Sequence, residues 1–432
     1  MELSTVALIV TLVTIVLFLT NVFDVWVTSM IGGILMVICG VIPASDAFSS
    51  FGGDIAMLMI GIMIMGTACT VTGIAERIGY WTIKISGGSE RKMIGVLFVV
   101  SCVASMFLNV TVIVAVFTPI LCGVVSAGKG KFDPRHLFLP MGAGGGIGGI
   151  LSLVGSSNIL NASNQLVAFG YERGFTFFEP TKTSVLGIVL CCLFVPTIGY
   201  NFYCKYFEKR PYPDLAIFGN IEGAPDDYKS VPKWKVYVAA GTLIGAAIMF
   251  AWNPLPHITT GTWSMIGGMI VILTGIVTGD QANKGISWPG IWIIAGTAGV
   301  SAGISSSGAG EIVSDFVIGL FPFAENSPFA MCVIFMLLTS LLSNFMSDNG
   351  AVGITVPVAM SVATGLGVDP LPFALACSYG STVAVATPCC KPPLATLMFV
   401  GYSFKDFVAV GLPINLIMLA SGSIMFKILY FM

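Results

Sequence analysis

Residues 105–119 read SMFLNVTVIVAVFTP, and residues 343–357 read SNFMSDNGAVGITVP. The two stretches align without gaps at an offset of 238 residues, sharing serine, phenylalanine, valine and proline. Each lies inside an apolar block, 93–128 and 327–367, that is too long for one comfortable span. Each block has a helix-breaking polar centre, LNVT at 108–111 and SDNG at 347–350. A spanning helix takes about 20 apolar residues and must satisfy its own backbone. A longer block with a broken middle is expected to enter the membrane and turn back.

Composition supports a membrane setting. The chain of 432 residues is 56% hydrophobic and 9% charged, with 51 glycines and a mean hydropathy of +0.94. A net charge of −2 removes nucleic acid as an expected partner. The 11 cysteines lie mostly in apolar runs without disulfide or zinc spacing, and only His136 and His257 could supplement them. No histidine falls within a transmembrane run and there is no HExxH pattern or paired acid, which argues against an intramembrane enzyme; no cofactor is expected. The first apolar run follows Glu2 and lacks a small-residue cleavage site, so a retained helix is expected there rather than a signal peptide.

Ten further segments read as crossings: 4–22, 24–42, 54–74, 138–168, 183–204, 236–253, 262–279, 288–306, 372–400 and 407–431. Lysine and arginine mark cytoplasmic loops. The loop 75–92 holds Arg77, Lys84, Arg91 and Lys92, and the loop 129–136 holds Lys129, Lys131 and Arg135. The block between them therefore dips in from the cytoplasm. The second block lies between 307–326, with Glu311, Asp315 and Glu325 but no lysine or arginine, and 367–372, also without positive charge. It dips in from outside.

The expected architecture is an all-α polytopic membrane protein built as an inverted repeat, with five spans and one re-entrant hairpin per half. Residues 1–204 form the first half, 205–235 a cytoplasmic linker, and 236–432 the second half. Both termini are expected outside the cell (inner) membrane. Such repeats, with discontinuous helices meeting near the midplane, characterise secondary transporters.

Each hairpin is followed by a span broken in its own middle: GAGGGIGGILSLVGSSNILNASNQL at 142–166 and YGSTVAVATPCCKPPLATL at 379–397. Close helix packing is one reading of Gly142–Gly149. It leaves Ser156, Ser157, Asn158 and Asn161 unexplained, because polar groups in hydrocarbon need a cavity or a polar partner. The four polar breaks, Asn109–Thr111, Gly155–Asn158, Ser347–Asn349 and Ala386–Lys391, are expected to converge on one binding site. Other charges read blandly: Asp54 as a helix cap, Glu172 with Arg173 as a loop pair, and Asp226 with Asp227 as solvated linker.

These features resemble the divalent-anion:sodium symporter family of the larger ion-transporter superfamily. That family carries a Ser-Asn-Thr motif at each hairpin tip, ten residues before a proline. Here Asn109-Val110-Thr111 precedes Pro119 and Ser347-Asp348-Asn349 precedes Pro357. Gly155-Ser156-Ser157-Asn158, then Phe177-Phe178-Glu179, resemble its first broken helix, and Ala386-Thr387-Pro388 its second. The phrase GYSFKDFVAVGLPI at 401–414 resembles the introduction to its last span.

The resemblance implies sodium-coupled uptake of a small anion, a di- or tricarboxylate, by an elevator-type movement in a lipid-embedded homodimer. It implies substrate contacts from Asn109, Val110, Thr111, Ser156, Ser157, Asn158, Ser347, Asp348, Asn349, Thr387 and Pro388, to which the chain's own Lys391 is added as an expected contact. It implies sodium sites at Asn109, Gly155 and Asn158 and at Ser347, Asn349 and Ala386, coordinated largely by carbonyls.

Among the departures from the family pattern are Val110 and Asp348 at asparagine positions, and Lys391 where an uncharged residue is usual. A lysine at the bilayer centre costs about 2.5–3.5 kcal/mol unless it finds a partner. Two readings remain open: Lys391 snorkels to the headgroups, or it pairs with Asp348 in the second cation site, contacting substrate or replacing a sodium ion. A proton-coupled carrier or exchanger, or a cation or arsenite antiporter, is the alternative function, with Asp348 its one titratable candidate.

Overall fold

The computed structural model describes residues 2–20, 22–128, 132–208, 210, 231–252, 255, 257–321 and 327–432. Most of the expected linker, with Asp226 and Asp227, lies outside them, as do Lys129, Lys131 and Glu325. The described residues are helical throughout their regular structure. In chain order the first half contains α1 (Leu3–Thr20), α2 (Val25–Ile38), α3 (Ala44–Phe48), α4 (Asp54–Val71), α5 (Ile74–Ser86), α6 (Glu90–Ser105), α7 (Val110–Gly128), α8 (Pro134–Gly148), α9 (Ser157–Ala168), α10 (Glu179–Phe194) and α11 (Tyr200–Phe207). The second contains α12 (Lys233–Trp252), α13 (Thr260–Leu273), α14 (Gly279–Gly285), α15 (Trp288–Ser306), α16 (Ala309–Leu320), α17 (Pro328–Phe345), α18 (Asp348–Gly365), α19 (Leu371–Thr382), α20 (Pro392–Ala395) and α21 (Phe404–Tyr430).

The halves repeat the same order, long helix, short helix, second long helix, amphipathic helix, hairpin, broken helix and closing helix, and the repeat extends to backbone conformation. Gly40 and Gly275 end α2 and α13 with φ of 72° and 67°, and Gly73 and Gly308 start α5 and α16 with φ of 68° and 73°. Only glycine takes up such angles at little cost. Asp133 and Asp369 each precede a proline and accept the amide two residues on, from Arg135 at 2.9 Å and Leu371 at 2.8 Å.

Among the described residues, six helices are long and apolar enough to cross a membrane: Leu3–Thr20, Ala44–Val71, Glu179–Phe207, Lys233–Phe250, Pro328–Phe345 and Phe404–Tyr430. Five of these match expected crossings, and the sixth is the first arm of the second hairpin. The expected spans 24–42 and 262–279 contract to 14-residue helices, which rise only about 21 Å. Two regions read as loops are helices, α5 and α16. Their charges, Arg77 and Lys84 or Glu311 and Asp315, lie on helices whose apolar residues recur with helical spacing, such as Ile74, Ile78, Trp81 and Ile85.

Small residues bring non-equivalent helices together across the halves. A Cβ on Gly61 of α4 would lie 2.3–2.4 Å from Ser264 of α13, and one on Gly296 of α15 would lie 2.3 Å from Ser29 of α2. The pairs run in register, with Gly33 on Gly296 and Met36 on Gly303. Successive spans reverse direction, so α2 beside α15 and α4 beside α13 is the arrangement an inverted repeat produces. Asp54 does cap a helix, though a neighbouring one: its carboxylate accepts from Thr260 Oγ1 and from the amide of Gly261, both at 2.9 Å. Arg173 pairs with Glu179 at 3.1 Å.

The hairpin arms pack alongside the broken helices in the same direction. Phe98 and Cys102 of α6 meet Gly144 and Gly148 of α8, and Met336 of α17 meets Gly380 of α19. The packing reading of the glycine run thus holds for one face. The other face, Gly142 and Gly146, lies against Leu394 and Lys391 of the second broken helix.

Candidate functional site

Each hairpin turns at a side-chain cap. Asn109 Oδ1 accepts the Thr111 amide at 3.1 Å and its hydroxyl at 3.2 Å, opening α7. Ser347 Oγ accepts the Gly350 amide at 3.2 Å, opening α18. Capping of this kind satisfies amides that a helix start leaves unpaired.

The breaks are strapped to the tips by matching hydroxyls. In the first half Ser152 donates to the carbonyl of Met106 at 2.5 Å; in the second, Thr387 donates to the carbonyl of Asn344. One residue before each acceptor, Ser105 donates to Gly145 O at 2.6 Å, and Ser343 Oγ lies 3.4 Å from Ser381 O. Gly155 sits where the chain crosses itself: a Cβ there would lie 2.4 Å from Gly149 O and 2.7 Å from Ser105 O.

The halves join through amide side chains. Asn158 Nδ2 donates to Thr382 Oγ1 at 2.8 Å, and Asn349 Nδ2 donates to Ser157 Oγ at 2.9 Å. Asn161 finds its polar partner on α15, where Thr297 Oγ1 donates to it at 2.6 Å, and one turn further Ser301 donates to Gln165 at 3.1 Å.

Between these elements lies a cavity of about 450 Å³. Nine of the twelve expected substrate residues line it: Asn109, Val110, Thr111, Ser156, Ser157, Ser347, Asp348, Asn349 and Lys391. Asn158, Thr387 and Pro388 do not; the first two are spent on the contacts above. Of the expected sodium residues, Asn109, Gly155, Ser347 and Asn349 line the cavity, whereas Asn158 and Ala386 stand behind it. The Ala386 amide donates to Asn344 Oδ1 at 3.1 Å. A second cavity of about 520 Å³ shares Asn109, Thr111, Gly155 and Ser157 and runs past Thr67 and Thr70 to Lys284.

Lys391 does not snorkel. It is 5% exposed, and its Nζ lies 2.8 Å from Asp348 Oδ2, 3.0 Å from Thr382 O and 2.9 Å from Ala384 O. Asp348 also accepts from Ser343 Oγ at 2.5 Å. Lys391 and Asp348 are the charged side chains of this cavity's wall, so the wall itself is neutral.

Sequence reasoning missed Ser105, Ser152 and Asn344, and the wall residues Val25 and Ile293 contributed by α2 and α15. Ser105 and Ser343 were detectable, as the serine pair shared by the two aligned stretches. The carbonyls of Thr382 and Ala384 carry no sequence signal at all.

Comparison with known proteins gives a consistent picture. The pattern of the citrate transporter family matches residues 15–262 and 248–432. An uncharacterized transporter of Escherichia coli K12, YfbS, is 20% identical, with 97% of this chain and 98% of the relative covered. The sodium-dependent dicarboxylate transporter SdcS of Staphylococcus aureus is 22% identical, covering 96% of this chain and 83% of its own. Among solved structures, the Alcanivorax borkumensis YdaH transporter superposes with a TM-score of 0.64 at 15% identity, over 89% of this chain and 87% of that one. Neisseria gonorrhoeae MtrF, described as an antimetabolite efflux pump, gives 0.62 at 16% identity, over 92% and 85%. At these identities the structural likeness speaks for the fold alone.

Proposed function

The chain belongs to the citrate transporter family, and from that premise we propose that it is a secondary active carrier of a small di- or tricarboxylate, coupled to sodium. The observation that carries this reading is the convergence of three helix starts on one cavity: Val110 of α7, Ser157 of α9 and Asp348 of α18 all line it. The N-terminus of a helix carries partial positive charge and unpaired amides, a ready site for carboxylate. Ser156 leaves the first turn of α9 without a side-chain cap, so this start has amides to offer an anion. Ser157 Oγ, Thr111 Oγ1 and Asn349 Nδ2 stand around it.

The hairpins and broken helices would move together as the carrier, tied by their hydroxyl straps, against a scaffold of α1, α2, α4, α12, α13 and α15. Val25 and Ile293 present an apolar wall on the scaffold side. The larger cavity opens toward Lys284 and the end of α4, from which α5 continues with Arg77 and Lys84. By its positive charge we read that end as cytoplasmic, and the form as inward-facing in the cell membrane with both termini outside. Residues 1–204 and 236–432 act as the two inverted repeats, and a homodimer is the proposed assembly.

A cation antiporter would use Asp348 as its titrating acid, but that carboxylate is engaged by Lys391 and Ser343. The test is a thermal-shift panel of succinate, malate, citrate and sulfate on purified protein, in sodium and in choline. A ligand at 100 times its dissociation constant stabilises the folded state by about 2.7 kcal/mol. A carboxylate-specific rise, larger in sodium, is expected. No response to any anion in either medium overturns the reading.

A further inference from the structure

We propose that the Lys391 ammonium is a tethered cation that permanently fills the second of two cation positions, so that only the first half exchanges an ion with solvent. The contacts of Nζ are the ground for this. A protonated lysine has three hydrogens to donate, and three oxygens receive them: Thr382 O at 3.0 Å, Ala384 O at 2.9 Å and Asp348 Oδ2 at 2.8 Å. Two of these are main-chain carbonyls at the end of α19, where the helix dipole is negative. The third is a carboxylate from the tip of the second hairpin. An all-oxygen set of carbonyls and a carboxylate is what a hard metal cation requires.

The slot for the stem is also built. Gly146 of α8 faces it: a Cβ there would lie 3.3 Å from Lys391 Cδ, 3.5 Å from Cε and 2.9 Å from Val385 Cγ1. The aliphatic chain therefore runs along bare backbone into the break. In the first half the carbonyls that correspond to Thr382 and Ala384, at an offset of 236 residues, are those of Gly146 and Gly148, and the segment matching Lys391 is Gly155–Ser156. No basic side chain from that half lines the cavity among the described residues.

The consequence is a division of labour. An external ion would have to draw the first tip against the first break on every cycle, whereas the second tip is held to its break by a charge that cannot leave. The carrier then takes up one coupling cation fewer than a site with two exchangeable positions.

The proposal rests on the carrier reading for the idea of a cation position, yet its test needs no substrate. Full-length wild type, Lys391→Ala and Lys391→Ala/Asp348→Ala are purified without added anion in parallel sodium and choline media, and unfolding midpoints are followed over a sodium titration. Removing the lysine leaves two carbonyls and a carboxylate around a vacated pocket. Lys391→Ala is therefore expected to be weakened in choline and restored by sodium saturably, the folded-to-unfolded ratio rising about 100-fold at 100 times the dissociation constant. The double variant, lacking the carboxylate, is expected to lose that restoration. Lys391→Ala that responds to sodium no more than wild type, that is recovered in neither medium, or whose rescue persists without Asp348 overturns the proposal. A wild type that ignores every carboxylate while Lys391→Ala gains sodium dependence would sink the substrate assignment and leave the tethered cation standing.

Discussion

Replacing Asp348 by asparagine keeps the size of the side chain and a partner for Ser343, but it strips the charge that opposes Lys391. Both partners are enclosed, with side chains 6% and 12% exposed. Breaking a buried ion pair from one side costs about 3–5 kcal/mol, because the surviving charge is left uncompensated. The Thr382 and Ala384 carbonyls still accept from the ammonium, so Asp348→Asn is placed at the lower end, about 3 kcal/mol, or roughly a hundredfold in the folding equilibrium. Lys391→Met leaves a bare carboxylate held by Ser343 alone and is placed near the upper end, about 5 kcal/mol. The double variant carries no buried charge, and replacing a whole pair by neutral groups of similar volume is often close to neutral. The cycle, measured by denaturant unfolding in sodium-free detergent solution, should therefore give a favourable interaction energy of several kcal/mol, up to about 8 kcal/mol if the double variant is neutral. Additive losses within about 0.5 kcal/mol would refute the pairing as an energetic unit.

The close packing of hairpin on broken helix makes a second prediction. Gly380→Ala places a Cβ 2.1 Å from Met336 O, and Gly148→Ala places one 2.4 Å from Cys102 O; both acceptors are backbone, so each should cost at least the about 1–3 kcal/mol of ordinary overpacking in a thermal melt. Gly241→Ala, with nothing within 4 Å, should leave the midpoint unchanged or raise it. The two straps should be equivalent: Ser152→Ala and Thr387→Val each remove one hydroxyl from a tip carbonyl, for about 1–3 kcal/mol apiece in unfolding measurements. Ser157→Ala should weaken carboxylate binding about tenfold in calorimetry, and, because Asn349 Nδ2 loses its acceptor, should also lower the stability read from the ligand-free melt by about 1 kcal/mol.

Much of this site was legible because polar residues in an apolar run must have a reason. Asn109, Ser156, Ser157 and Asp348 announced the breaks, and nine residues named from sequence do face one cavity. The rest was hidden for physical reasons. Thr387 and Asn158 resemble ligand-facing residues in any sequence, yet their polar atoms are consumed in holding one half to itself and to the other. The cage around Lys391 is made partly of backbone oxygens, which every residue possesses. The amphipathic helices α5 and α16 passed for loops because a charged face interrupts the apolar runs by which spans are recognised. Lys391 illustrates how far energetics alone could go: its cost in the bilayer demanded a partner, and choosing between headgroups and Asp348 took the geometry of the break.

The proposed carriage of a small carboxylate by alternating access with sodium is open to direct test in reconstituted vesicles. The most direct measurement is uptake of labelled succinate and citrate into proteoliposomes under an inward sodium gradient, with counterflow from vesicles preloaded with the unlabelled anion. Saturable uptake that collapses with the gradient and is accelerated by preloading is the predicted result. Carboxylates that fail to enter under any gradient, or a flux that rises linearly with concentration and ignores preloading, would contradict it.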